Sequence, residues 1–433
     1  MHGKVVLVRT AADHDSESLA RRPAAFTTVA AGLAFVVLAA LLVPWDWIPG
    51  GHLVPASPTD VFTPAEIDRA EAYSSARRYL GWSSYLVSLL VALALGFTPW
   101  GARLLRSMAR RLRWWLAVPV GVLLLLVIGR LATLPFSVTV HDLGLDYELT
   151  NQPWGEWALD NAKSLLVSAV LSSVVLLVVV GSARLSPRYW FAWASGAAAI
   201  VTLGASFLYP VVVEPLFNNF TPMQAGPFKS SVFDLAKAEG VEIDEVLVSD
   251  ASRRTTTLNA YVSGFGNTRR VVVYDNLLND LTPDEARVVI AHELAHAEHH
   301  DVFLGTALGA VGSVFGISLL ALLLDSPRLR RLSAIRGPSD PAAVAVILAL
   351  AAAGGLLASP IQNTVSRAIE ARADRDSITA TGEGEVFAEM QHELAVHSLN
   401  DPTPPRLNHL WFGSHPTVLE RVGIPSSLEE AAP

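Results

Sequence analysis

Residues 281–301, LTPDEARVVIAHELAHAEHHD, govern how the rest of this chain is read. They contain His292-Glu293-Leu294-Ala295-His296, an H-E-x-x-H. On an α-helix, residues four apart stand one turn above each other. Both imidazoles therefore leave one face and can bind a single Zn2+, with Glu293 beside them as base. Thr282 as N-cap, Pro283 at the first helical position and Glu285 closing a capping box predict where this helix starts. The stretch from His392 to His397 looks similar but spaces its histidines five apart. That separation turns them about 140° from one another, so they cannot share a metal, and a surface helix is expected there.

Around this motif the composition is that of a membrane protein. The chain has 433 residues, 51% of them hydrophobic and 17% charged, with a mean hydropathy of +0.38. There are no cysteines, which excludes disulfides and thiolate ligands, so a metal must use histidines and carboxylates. The formal charge of −8 argues against a nucleic-acid partner.

Taken in order, residues 1–23 are polar and predict a disordered tail. The apolar run 26–43 follows positive charge, as a signal peptide does. No small-x-small cleavage site follows it, however, and Pro44-Trp45-Asp46-Trp47 reads as an interfacial anchor, so it is expected to be a retained span. Further spans are expected at about 80–97, 116–134, 164–183 and 189–209, completing an N-terminal membrane domain over 24–209, then at 302–324 and 341–359 within 302–359. Residues 62–78 predict a separate amphipathic helix outside the bilayer. Arg130, inside the third span, predicts a wet cavity, a partner or snorkelling to the interface.

Residues 210–301 read as a soluble α/β segment. A helix is expected at about 226–239, ending at Gly240, and strands at 245–249, 256–263 and 269–274, the last two forming a hairpin. An extended peptide can add to the exposed edge of such a hairpin, which would carry the scissile bond to the metal by main-chain hydrogen bonds. A purely structural sheet is the alternative.

A His2Glu zinc peptidase needs a third protein ligand and an open position for water. Glu370, in a C-terminal segment covering 360–433, supplies such a carboxylate, and Asp374, one turn on, could orient a ligand histidine. Near the C-terminus, His415 precedes Pro416. It could hydrogen-bond an oxyanion, or simply make a turn before a terminal helix.

With these residues in hand, the chain resembles the type I CAAX prenyl proteases, a family of integral-membrane zinc metalloendopeptidases. The likeness runs from about Phe62 to Val422. It is carried by Leu134-Pro135-Phe136-Ser137, by Pro215 to Pro222, by Asn259-Ala260-Tyr261, by the H-E-x-x-H, by the S-R-x-x-E-x-x-A-D at 366–374, and by His415-Pro416. The resemblance implies His292, His296 and Glu370 as ligands of one Zn2+ per chain, Glu293 as general base and His415 as a catalytic group. It implies Asp374 and Arg367 as supports of the site and Asn259, Ala260 and Tyr261 as the substrate strand. It also implies a mainly α-helical, polytopic fold of about seven helices enclosing a chamber, with a small gluzincin-type α/β catalytic domain.

The arginines bear on orientation. The N-terminal tail and the loops at 101–113, 184–188 and 325–340 carry 15 Lys and Arg residues, against 4 in the short loops at 44–78 and 135–163, and under a seven-span count the richer set all falls on one side. The positive-inside rule puts that side in the cytoplasm of a cell membrane and the catalytic segments outside it. The expectation is a multi-pass zinc endopeptidase acting on peptides or proteins, prenylated or membrane-associated ones included. A heat-shock-type membrane quality-control metalloprotease and a non-catalytic zinc-containing scaffold are the alternatives.

Overall fold

The structure, a computed structural model, describes residues 11–48, 53–264 and 266–431. Among the described residues, seven helices are long and apolar enough to cross a membrane: Arg21–Leu42, Pro64–Gly96, Trp114–Asp146, Trp154–Leu185, Trp190–Leu216, Asp301–Leu324 and Pro341–Thr381. In the N-terminal half they belong to helices α1 (Ala11–Leu42), α2 (Pro64–Gly96), α3 (Trp114–Asp146), α4 (Trp154–Leu185) and α5 (Trp190–Leu208). Two expectations are corrected here. The tail expected to be disordered over 1–23 is helical from Ala11, because its Ala-, Glu- and Leu-containing sequence propagates the helix that the span nucleates. Its residues 1–10 lie outside the described residues. The amphipathic segment at 62–78 is not a separate helix: Thr63 and Glu66 form a capping box, Pro64 is the first helical residue, and α2 runs unbroken into its span.

The soluble segment follows with strand β1 (Phe220–Pro222), helix α6 (Pro227–Ala238) and strands β2 (Glu245–Ser249), β3 (Ala260–Ser263) and β4 (Arg270–Tyr274). The sheet order is β1-β2-β4-β3, with β2 and β4 parallel and the other pairs antiparallel. β3 is therefore an edge strand, four residues shorter at its start than the composition suggests. The hairpin turn needs a left-handed residue, and Gly264 supplies it at φ +91°; Phe265 lies outside the described residues. Helix α7 (Pro283–Glu298) carries the H-E-x-x-H, and its Thr282/Glu285 capping box is present as expected. Then come α8 (Asp301–Leu324), α9 (Val344–Thr381), α10 (Gly384–Ser398) and the short α11 (Val418–Val422).

In the membrane part, α2, α3, α4, α5 and α8 pack each against the next. α9 lies along α2 and touches α8, so the ring closes, and α1 packs outside on α8. Only 0–39% of each span's most apolar window is buried. Such low burial is what a ring of helices gives, with lipid outside and a lumen within. Arg130 on α3 lines a cavity of about 710 Å3 together with Asn161, Ser164 and Ser168 on α4. Where α2 meets α9, Gly96 lies so close to Ala345 and Ala349 that any Cβ there would collide.

The catalytic part has its own core. Ile290 and Leu294 of α7 and Phe387 and Met390 of α10 are almost fully buried with Val271 and Val273 of β4. Truncating Phe387 to alanine in such packing costs about 3–5 kcal/mol. This core fixes α7 against the sheet on one side and α9 and α10 on the other.

Candidate metal centre and active site

α7 lies along α9, and the residues flanking the site on both helices include small, buried ones. Ala291 and Ala295 of α7 and Ala371 of α9 are 0–2% exposed. Close approach brings Glu370 of α9 to the two histidines presented by successive turns of α7. His292 Nε2 and His296 Nε2 are 3.2 Å apart. Glu370 Oε2 lies 3.2 Å from the first and 3.7 Å from the second. Four ligands around zinc at bond lengths near 2.05 Å sit about 3.3 Å from one another. The three atoms thus already have the mutual spacing of three corners of a zinc tetrahedron, and these residues could hold the ion. Among the described residues this is the one His/Cys/Asp/Glu group that meets the spacing for a metal. Glu370 Oε2 faces the Nε2 atoms of both imidazoles and of His415, so a carboxylate oxygen and imidazole nitrogens converge on one point, a donor set that suits zinc.

Both imidazoles are held from behind. His292 Nδ1 is 2.9 Å from Asp374 Oδ1, one turn beyond Glu370 as its spacing predicts. His296 Nδ1 is 2.9 Å from Asp301 Oδ2. Each carboxylate fixes the tautomer whose Nε2 lone pair faces the shared point. Each is in turn held by an arginine: Arg421 of α11 grips Asp374 through Nε at 2.8 Å and its second nitrogen, and Arg372 of α9 holds Asp301. Without a metal, burial pushes His296 down, but Asp301 and Glu370 outweigh it and hold the imidazole at about 10. A metal entering this site therefore displaces a proton.

Glu293 and His296 face a cavity of about 500 Å3 also bounded by Val262, Gly264, Glu370 and His415. Burial raises the Glu293 carboxyl above its ordinary range, with His292 and His296 pulling the other way. A carboxyl raised in this way holds a proton more readily than an ordinary one, the direction a general base needs. His415 Nε2 is 3.2 Å from Glu370 Oε2, and its side chain is 52% exposed, open to the cleft. A second cavity of about 740 Å3 continues from His415 and Arg421 past Tyr73, Trp82 and Tyr85 of α2.

The other expected site residues take less direct places. Arg367 does not touch the histidines; it donates to the carbonyls of His409 and Gly413 (the latter at 2.6 Å) and so braces the loop that carries His415. Asn259 is exposed, Ala260 is 1% exposed and turned into the core, and the Tyr261 hydroxyl donates to Glu214 Oε2 at 3.3 Å. The cavity meets β3 at Val262 rather than at those three side chains. The backbone is another matter. Tyr274 N donates to Asn259 O, so in this antiparallel pair residues 259, 261 and 263 bond to β4, and the N–H and C=O groups of Ala260 and Val262 point out of the sheet. Composition missed Asp301, Arg372 and Arg421. The available signal for Asp301 was a carboxylate five residues past the second histidine; the arginines carried none.

The match to known proteins covers both halves of the chain. The model of peptidase family M48 matches residues 222–426, and that of the CAAX prenyl protease N-terminal domain, with five membrane helices, matches 50–219. An uncharacterized metalloprotease of Bacillus subtilis, YhfN, is 29% identical over 93% of this chain and 97% of its own. A CAAX prenyl protease 1 homolog of Dictyostelium discoideum is 30% identical over 60% of this chain and 63% of its own length. The crystal structure of S. mikatae Ste24p superposes with a TM-score of 0.77 over 96% of this chain and 98% of that one at 20% identity, a likeness of fold. With its catalytic part matching peptidase family M48 and its membrane part the CAAX prenyl protease N-terminal domain, the chain is a multi-pass membrane metalloprotease of the CAAX prenyl protease type.

Proposed function

We propose that the metal is zinc, one ion per chain, held by His292, His296 and Glu370, and that the chain is an endopeptidase whose general base is Glu293. The observation that carries this reading is the 3.2–3.7 Å spacing of the three ligand atoms beside a carboxylate raised by burial. Zinc bound there supplies a Lewis acid for the scissile carbonyl and acidifies water to near neutrality. Glu293 takes the proton from the attacking water and delivers it to the leaving amine. His415, at the rim of the cleft, donates a hydrogen bond to the oxyanion, a contribution of about 2.7–4 kcal/mol for donors of this kind. Asp374 and Asp301 keep the imidazole rings oriented, and Arg367 keeps the His415 loop in register.

The substrate is a peptide or protein segment bound extended. Its main chain pairs with the outward N–H and C=O groups of Ala260 and Val262, so recognition depends on backbone more than on side chains. The names of the relatives direct attention to C-terminal CAAX sequences, prenylated ones first. The arginine-rich loops favour a cell membrane with the catalytic side extracytoplasmic.

The test is turnover of a quenched fluorescent peptide, prenylated and unprenylated, by detergent-purified protein. Cleavage abolished by chelator and restored by Zn2+ is expected, with the prenylated peptide cut faster. Cleavage indifferent to chelator would overturn the metal reading, and equal rates would overturn the prenyl preference.

A further inference from the structure

The loops joining the spans at the end of the bundle away from the metal hold a pocket of about 350 Å3. Arg21 at the start of the first span, Arg188 just before α5 and Arg336 in the loop preceding α9 line it, against a wall that includes Ala24, Trp190 and Phe191. Those wall residues are 3–5% exposed, whereas all three arginines are exposed. The nearby acids are already engaged: Asp325 takes Arg330 at 2.9 Å and Asp340 takes Arg106 at 2.8 Å. Arg184 is likewise occupied, donating to Ser339 O and lying over the Trp114 ring. Among the described residues no carboxylate pairs with Arg21, Arg188 or Arg336.

Arg188 lies over the Tyr189 ring at 5.1 Å, which leaves its nitrogens free to donate, and Asp325, which also lines the pocket, is taken up by Arg330. Exposed arginines without a carboxylate partner are ordinary on a soluble surface. Three that converge on one concavity, at the level where spans begin and end, are not. Their combined charge makes an anion site, and guanidinium groups match a phosphate's oxygens in pairs. The apolar wall argues against a freely soluble anion, which has no use for it. We propose that this pocket binds the phosphate headgroup of an anionic phospholipid, with its acyl chains descending along the bundle from the wall formed by Ala24 and Phe191. This site tethers α1, α5, α8 and the 336–339 loop at one membrane face, and it is independent of the peptidase reading.

The full chain, delipidated in detergent, is titrated with phosphatidylglycerol, phosphatidylcholine or inorganic phosphate, and binding is read by native mass spectrometry and by the thermal unfolding shift. Phosphatidylglycerol is expected to bind and stabilise while phosphatidylcholine and phosphate do not. Arg188→Gln/Arg336→Gln is expected to weaken phosphatidylglycerol roughly 30-fold, from about fivefold for each basic group at a membrane surface. Arg110→Gln/Arg111→Gln, on the same face but outside the pocket, is the control, with a clearly smaller loss than in the pocket variant expected because neither arginine lines the pocket. Equal losses in the two variants would mean a diffuse surface potential and overturn the site. Phosphatidylglycerol binding no tighter than phosphatidylcholine would overturn it too, as would inorganic phosphate reproducing the shift. Should the double variant fail to fold, Arg188→Gln alone is titrated against Arg110→Gln, with about a fivefold loss expected in the first and a clearly smaller one in the second; equal losses would overturn the site.

Discussion

His292 leans on Asp374, from the helix that also supplies Glu370, while His296 leans on Asp301, only five residues further along its own chain segment. The two arms put the same pair of groups behind an imidazole, a carboxylate and then an arginine, but they are built differently. Asp374 is 0% exposed, and Arg421 grips it through two nitrogens. Asp301 is 8% exposed, and a single arginine nitrogen reaches it. The first arm joins three separate helices, so it reports whether the catalytic part is assembled. The second begins as a local turn, in which His300 at φ +57° precedes Asp301 and swings it back toward His296, and it reaches α9 only through Arg372. The difference teaches that one carboxylate comes to its imidazole through helix packing and the other through a turn of the chain.

Substituting the carboxylate that both imidazoles face should have the largest effect. Glu370→Gln is expected to lose the metal and lower turnover by about a thousandfold or more, measured by metal analysis and peptide cleavage. The arms then separate. Asp374→Asn is expected to weaken metal binding about 10–100-fold and, by stranding the buried Arg421, to destabilise the fold by about 3 kcal/mol in denaturant or thermal unfolding. Asp301→Asn is expected to weaken metal binding by about tenfold, the lower end of that range, with a smaller loss of fold stability. Equal destabilisation by the two asparagine variants would break the comparison.

A third carboxylate sharpens it from the other side. Both oxygens of Glu239 are buried without a hydrogen-bond partner among the described residues, and burial with nearby Glu298 and Asp376 pushes this group up to about 8. With its folded pKa above the unfolded value, its favourable contribution is complete below about pH 4.5 and disappears as pH rises through 8. Glu239→Gln should therefore leave stability unchanged at pH 4.5 and raise it by about 1–2 kcal/mol at pH 9, after allowance for partial exposure. A stabilisation independent of pH would contradict that account.

What was legible in the sequence follows the same division. The H-E-x-x-H, its capping box and the Glu370/Asp374 pair are helix-periodic, and helix periodicity survives without knowledge of tertiary contacts. Asp301 was not legible, because its return to His296 depends on one left-handed residue. Arg421 was not either, since it sits in a five-residue helix 47 positions from the carboxylate it holds. The seven spans were readable from hydropathy, but the polar extension of α2 was not, because the helix continues past the apolar stretch into the catalytic part. The edge strand was expected at Asn259–Tyr261, and which of its main-chain groups are free became readable only with the pairing to β4.

The most direct test is Glu293→Gln, measured for bound metal and for peptide turnover in the same preparation. The account predicts one zinc per chain, as in the wild type, and turnover lower by about a thousandfold or more, because the ligand set is intact and the proton carrier is gone. Zinc retained with turnover near the wild-type rate would contradict it, and a different group would have to be the base.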